Sequence, residues 1–193
     1  PTAAAVYGAI CEVTGPKGCL LIVKNYTGDR LNFGIAAEKA KANGLKVEMV
    51  IVGDDVAVNA GAESNGTITG RRGLAGTLFV HKVAGAAAEA GESLAEVYAA
   101  AQSVANGVGS MGVALTTCTV PGSVVSTRIS PGEMELGLGI HGEPGRARAP
   151  LKPVDEIAET IIKQINAVLP LSGKRLAVMI NNLGGTPLME LYV

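Results

Sequence analysis

The chain has 193 residues, with 16 Lys and Arg against 17 Asp and Glu and a formal net charge of −1. That balance excludes the clustered basic surface of a nucleic-acid binder, and with no Trp, two Phe and four Tyr there are few platforms on which bases could stack. At 48% hydrophobic and 17% charged residues the chain is too apolar for disorder and sufficient for one or two packed cores.

Pro1 leads directly into the apolar run Ala3-Ala4-Ala5-Val6-Tyr7, so neighbouring chain is expected before it; helical spacing then runs from Ala3 to Glu12. Gly15-Pro16-Lys17-Gly18 is a turn, and Cys19-Leu20-Leu21-Ile22-Val23 is a continuous apolar run, the pattern of a strand buried on both faces. After Lys24-Asn25-Tyr26-Thr27-Gly28-Asp29, helical spacing returns from Leu31 to Asn43 and Gly44 closes it. Val47 to Val52 is a second apolar strand, ending in Gly53-Asp54-Asp55, and strand, helix, strand at this spacing predicts a parallel βαβ unit. Residues 54–72 read as a loop, followed by a helix from about Gly73 to Ala90. Ser93-Leu94-Ala95-Glu96 has capping-box form and opens a helix to about Asn106.

Gly107-Val108-Gly109-Ser110 is the candidate joint between two parts. Beyond it the spacing predicts strands over Met111–Val120 and Glu133–Ile140 with a loop between them. Pro153 then begins an amphipathic helix marked by Ile157, Ile161 and Ile165. Leu176 to Ile180 reads as another strand, and Thr186-Pro187 starts a last helix in an apolar ending, after which more chain is expected. The expected class is α/β in two lobes, each a mixed or mostly parallel sheet flanked by helices: 1–107, lacking its N-terminal part, and 108–193, carrying His141 and lacking its C-terminal part.

Cys11, Cys19 and Cys118 are too few and too scattered for a disulfide framework or zinc knuckle, and Cys118 reads as a small core residue. No apolar run reaches the roughly 18 residues of a membrane span, and no charged-then-apolar leader opens the chain. The expectation is therefore a cytoplasmic protein with neither membrane nor nucleic acid as partner.

Gly137-Leu138-Gly139-Ile140-His141-Gly142 fits G-x-G-x-x-G in letters, but its glycines fall in a predicted strand and a turn follows, so the dinucleotide reading is rejected. Gly70 to Thr77 is glycine-rich and basic at a helix entrance, and reads either as a solvated surface loop or as an anion cradle. His81 lies within an apolar helix and reads as a packed or interfacial residue. His141 sits at a strand end among glycines, where bare backbone leaves room for a ligand beside the imidazole; a structural role is the alternative. Asp29, Asp54 and Asp55 each follow a buried strand, where open α/β sheets bind ligands. Each is equally a turn or capping aspartate, and pattern does not rank them.

The stretch Val23-Lys24-Asn25-Tyr26-Thr27-Gly28-Asp29-Arg30-Leu31-Asn32-Phe33 resembles the dihydroxyacetone kinases. The likeness continues through Val52-Gly53-Asp54-Asp55-Val56-Ala57, Gly70-Arg71-Arg72-Gly73-Leu74-Ala75-Gly76-Thr77 and Lys82-Val83-Ala84-Gly85-Ala86-Ala87. It extends to Cys118-Thr119-Val120-Pro121-Gly122, Glu135 through Gly145, and Asn182 through Tyr192. The resemblance implies the substrate-binding domain of that family, a homodimer in the ATP-using, single-chain branch that Phe79-Val80-His81-Lys82 is similar to. It implies that His141 adds to the ketone carbon of dihydroxyacetone as a hemiaminal, that Asp29 meets a substrate hydroxyl as base, and that Lys24 helps hold the substrate. It implies further that ATP and Mg2+ are bound by a separate helical domain, in cis or in trans, and not by this stretch, which alone would not transfer phosphate. A second active-site histidine, in a Gly-His-Glu-Pro segment of the family, would lie upstream of Pro1. Glyceraldehyde as a further substrate, a non-catalytic ketose-binding coregulator, and a kinase that also cyclises FAD are the other roles found in that resemblance.

These residue types suit the chemistry implied. An ordinary imidazole, with pKa about 6.5, is mostly neutral near pH 7 and offers a lone pair to a carbonyl carbon. A polyol has no electrophilic carbon, so a covalent tether separates ketone from polyol where pocket shape alone would do so weakly. Tethering also orients the terminal hydroxyl, and orientation is most of what phosphoryl transfer asks of a protein.

Overall fold

A computed structural model describes residues 1–58, 70–117, 119 and 121–192. The chain divides into two compact units, one of Pro1–Asp54 with Ala60–Val108 and one of Asp55–Asn59 with Gly109–Val193.

In the first unit α1 (Ala3–Val13) opens on Thr2, whose hydroxyl accepts the Ala5 amide at 3.2 Å. β1 (Cys19–Lys24) and β2 (Val47–Val52) pair in parallel, Cys19 opposite Val47 through Lys24 opposite Val52, with α2 (Thr27–Ala42) as the crossover. The pleat sends alternate residues of these apolar runs to opposite faces. On one face Leu21, Val23 and Val47 join Val6 and Ile10 of α1 and Ala36, Ala37 and Ala40 of α2. On the other, Val50 and Val52 meet Val80 and Ala84 of α3 (Thr77–Glu89) and Val97 and Ala101 of α4 (Leu94–Gly107). The alanines of α2 let that helix lie close to the strands, and Gly44, at φ +82°, turns the chain out of it. The predicted capping box is present: Ser93 accepts the Glu96 amide, and the Glu96 carboxylate accepts the Ser93 amide at 2.8 Å.

The second unit carries an antiparallel sheet in the order β3 (Val113–Ala114), β4 (Glu133–Leu136), β5 (Ala147–Pro150). Met134, on β4, is buried, and α5 (Val154–Val168) follows β5. The chain ends in a short 3-10 helix, Leu188–Tyr192. The expected α/β class is present, with a parallel sheet in one unit and an antiparallel sheet in the other.

Several element bounds differ from expectation. α2 starts at Thr27 rather than Leu31, which places Asp29 in its first turn instead of in a loop. α3 starts at Thr77 rather than Gly73, because the amides of Leu74 and Gly76 are given to Asp54, as set out below. The strand predicted over Met111–Val120 is reduced to Val113–Ala114, with a bend at Leu115–Thr116; Cys118 and Val120 lie outside the described residues. The strand predicted over Glu133–Ile140 stops at Leu136, because Gly137 adopts φ +76° and gives its amide to the Gly112 carbonyl at 2.6 Å. β5 was not predicted; its alternation is too short and too charged to announce a strand until β4 supplies a partner. Leu176–Ile180 forms no strand with β3, β4 or β5, and Val178 is 82% exposed. A ladder needs a partner backbone, and apolar composition does not provide one.

Candidate functional site

In the first unit the functional candidates gather where β1 passes into α2. The Asn25 amide donates to the Val52 carbonyl at 2.9 Å, extending the β1–β2 ladder by one bond, and the Tyr26 amide then turns back to the Lys24 carbonyl at 2.8 Å. Asn25 is buried: its Nδ2 donates to the Arg71 carbonyl at 2.7 Å and its Oδ1 accepts from Arg30 at 3.4 Å. Arg30, the residue directly after Asp29, thus leans on Asn25. Lys24, the last residue of β1, and Asp29, in the first turn of α2, are both half-buried. The free amides of a helix start favour a carboxylate there. This is the carboxyl end of a parallel strand followed by a helix N-terminus, the usual place for a small polar ligand in α/β proteins.

The loop between β2 and α3 answers the question left open for Gly70 to Thr77. It does cradle an anion, and the anion is Asp54 of the same chain. Asp54 is fully buried, and its Oδ1 and Oδ2 accept the amides of Leu74 and Gly76 at 2.7 and 2.8 Å. A Cβ on Gly76 would stand 2.7 Å from Oδ2 of that carboxylate, and one on Gly73 would stand 2.6 Å from the Val52 carbonyl oxygen and 2.7 Å from the Cβ of Lys24. Bare backbone at both positions is what lets the loop close behind Lys24. Asp55, also fully buried, accepts the Ala57 amide at 3.0 Å, an Asx turn of the second unit. Both aspartates are therefore structural anchors, which spacing had left unranked.

In the second unit β4 and β5 are joined by residues 137–146, closed by the Arg146 amide on the Leu136 carbonyl at 2.8 Å. His141 stands at the tip of this connection, its side chain 60% exposed. Its backbone amide donates to Glu143 Oε2 at 2.8 Å, and its Nδ1 lies 3.1 Å from Glu143 Oε1. Burial pushes the Glu143 carboxyl up, but its own amide and the amide and ring of His141 outweigh this and hold it below the ordinary carboxylate value. An ionised carboxylate only accepts, so this contact favours a hydrogen on the Nδ1 that faces it. Glu143 was not singled out from the sequence; the signal available was a carboxylate two residues after a histidine across a positive-φ glycine, Gly142 at +81°. Arg128 and Glu135 were also missed, and both reach this turn: Arg128 Nη1 donates to the Gly142 carbonyl, and Glu135 Oε1 accepts the Gly145 amide at 2.6 Å.

Asp29 and Lys24 belong to the first unit and His141 to the second. His81 is not packed, being exposed on α3. Among the described residues no group of three or more His, Cys, Asp and Glu side chains comes together as a metal cluster. No helix among them is long and apolar enough to cross a membrane.

A parallel βαβ unit and a second unit with an antiparallel sheet and a helix define an α/β protein. The chain belongs to the Dak1 domain family, whose model matches residues 1–193. It is 59% identical over 198 residues to a tomato (Solanum lycopersicum) protein named as a candidate 3,4-dihydroxy-2-butanone kinase, and 48% identical over 194 residues to the dihydroxyacetone kinase of Citrobacter freundii. All of this chain is covered in both matches, but only 33% and 34% of those proteins, so it spans about a third of the length of these relatives. The crystal structure of the C. freundii kinase in its native form matches with TM-score 0.89 at 49% identity, over 100% of this chain and 34% of that one.

Proposed function

We propose that this chain is the ketone-binding domain of a hydroxyketone kinase, which holds dihydroxyacetone as a hemiaminal on His141 while a separate domain, in cis or in trans, supplies ATP and Mg2+. The observation that carries this reading is the imidazole of His141, 60% exposed on a glycine turn, with its Nδ1 3.1 Å from the Glu143 carboxylate that orients the ring. Nε2 attacks the ketone carbon and a C–N bond forms. The carbonyl π pair moves to oxygen, which takes a proton from solvent, and the positive charge developing on the ring is met by Glu143. Asp29 then accepts the proton of the terminal hydroxyl as it attacks phosphorus, and Lys24 holds a substrate oxygen.

The names of the relatives support the substrate class: dihydroxyacetone and 3,4-dihydroxy-2-butanone are both α-hydroxyketones, and a rat relative, 46% identical, is named triokinase/FMN cyclase. Glyceraldehyde is accordingly a second candidate substrate. The nucleotide site is assigned elsewhere because the C. freundii kinase was solved with AMP-PNP and Mg2+, while this chain covers only 34% of that protein. The same reading takes 1–107 and 108–193 as the two lobes, a homodimer as the assembly and the cytoplasm as the compartment.

The test is the full-length protein with [2-13C]dihydroxyacetone, observed by 13C NMR. The ketone signal is expected to move into the tetrahedral range in wild type and to remain a ketone in His141→Ala; an adduct that survives His141→Ala rejects the tether. A second reading, ligand capture without catalysis, is favoured by one observation: a solved dihydroxyacetone kinase operon co-activator matches with TM-score 0.89 at 30% identity. Ketone capture without turnover in the full-length protein would select it.

A further inference from the structure

We propose that Arg128 and Glu135 are positioning residues that fix the turn bearing His141, an inference that rests on His141 being the tether. Glu135 lies on β4 with 4% of its side chain exposed, and its Oε1 collects Arg128 Nη2 at 2.5 Å and the Gly145 amide at 2.6 Å. The other fork of the same guanidinium, Nη1, donates to the carbonyl of Gly142, the residue directly after His141. One ion pair therefore grips the turn on both sides of Glu143, at Gly142 and at Gly145. Arg148, opposite Glu135 in the β4–β5 register, adds a second cation with Nε 4.0 Å from Oε2. Glycine at 145 is required for the approach, since a Cβ there would stand 2.5 Å from the Leu136 carbonyl oxygen and 2.8 Å from the Glu135 side chain.

Burial pushes the Glu135 carboxyl up, and the hydrogen bonds from Arg128 and Gly145 with the charges of Arg128 and Arg148 outweigh it, holding the group below its ordinary value. A buried ion pair is a weak route to stability, because an apolar pair of equal volume often serves as well. What it supplies is geometry: a planar two-pronged donor fixes two acceptors at once, which a lysine cannot do. Here those acceptors set the path of residues 142–145, and with it the Glu143 carboxylate that orients the imidazole.

The experiment compares Arg128→Ala, Arg128→Lys and Met134→Ala in the full-length protein. Met134 is buried on the same strand, so its truncation lowers stability while leaving the clamp atoms in place. Two readouts are taken well below the melting temperature: capture of [2-13C]dihydroxyacetone and hydrogen exchange of the Gly145 amide. Arg128→Ala is expected to reduce capture about tenfold or more, with a smaller loss in Arg128→Lys, which keeps the charge and serves one acceptor. Gly145 exchange should rise in both, while Met134→Ala should capture ketone as wild type does. Wild-type capture and exchange in the Arg128 variants would overturn the proposal, as would loss of capture in Met134→Ala in proportion to its lost stability. If Arg128→Ala does not fold, Arg128→Lys decides by the same readouts. If wild type captures no ketone, the tether reading fails separately, and unchanged Gly145 exchange in Arg128→Lys would still reject the clamp.

Discussion

Each unit of this protein fixes a glycine-rich loop with a buried carboxylate, and the two do it with different partners. In the first, Asp54 accepts the backbone amides of Leu74 and Gly76, where the loop runs into α3. In the second, Glu135 is held by a guanidinium as well as an amide. The surroundings explain the difference. The first unit closes both faces of a parallel pair with apolar clusters, and a helix start beside the loop provides amides that already favour negative charge. Among the described residues of the second unit, buried apolar side chains are few, Val56, Ala57, Ile129 and Met134, and α5 has no buried residue. The His141 turn is held by charge, through Arg128 and Glu135. Hydrophobic contacts are not directional and tolerate slippage, whereas a two-pronged ion pair does not.

The sharpest way to break this comparison is to remove the first anchor. Asp54→Ala strands two buried amides and is expected to cost about 3 kcal/mol of stability by chemical denaturation. A loss under about 1 kcal/mol would mean that the apolar clusters, not the carboxylate, hold the loop. Acid should then separate the two units. Glu135 and Glu143 are both held below the ordinary carboxylate value, so the stability they contribute is complete above about pH 4.3 and is lost as pH falls through their lowered folded values. Amides of His141, Gly142, Glu143 and Gly145 are therefore expected to lose exchange protection at higher pH than those of β1 and β2, whose neighbours are apolar; simultaneous loss would contradict the contrast. The smallest effect is at Ser93, whose hydroxyl and amide hold the Glu96 carboxyl low. Ser93→Ala should destabilise α4 by about 1 kcal/mol and leave ketone capture unchanged, which thermal unfolding and the 13C experiment check together.

Much of the first unit was legible in the chain. The uninterrupted runs Cys19–Val23 and Val47–Val52 marked a doubly covered parallel pair, and Ser93 with Glu96 marked a helix start to the residue. Asp29 and His141 were legible as candidates because one follows an apolar run and the other sits in a glycine turn, whereas Lys24 entered only through the family resemblance. Less of the second unit was legible, because its strands are short and one of them, Ala147–Pro150, is a strand only through β4. Asp54 stood among three equivalent aspartates until its amide partners, 20 and 22 residues away, were in view.

The sequence by itself determined the α/β class, the βαβ order and the motifs that tie the chain to its family, since periodicity, caps and turn residues act over a few neighbouring positions. Tertiary structure alone decided which carboxylates anchor and which remain candidates for a substrate, where β4 yields to the turn at Gly137, and that Glu143 lies against Nδ1 of His141. A carboxylate's role is set by the donors brought to it from elsewhere in the fold, and its own letter in the chain carries no record of them.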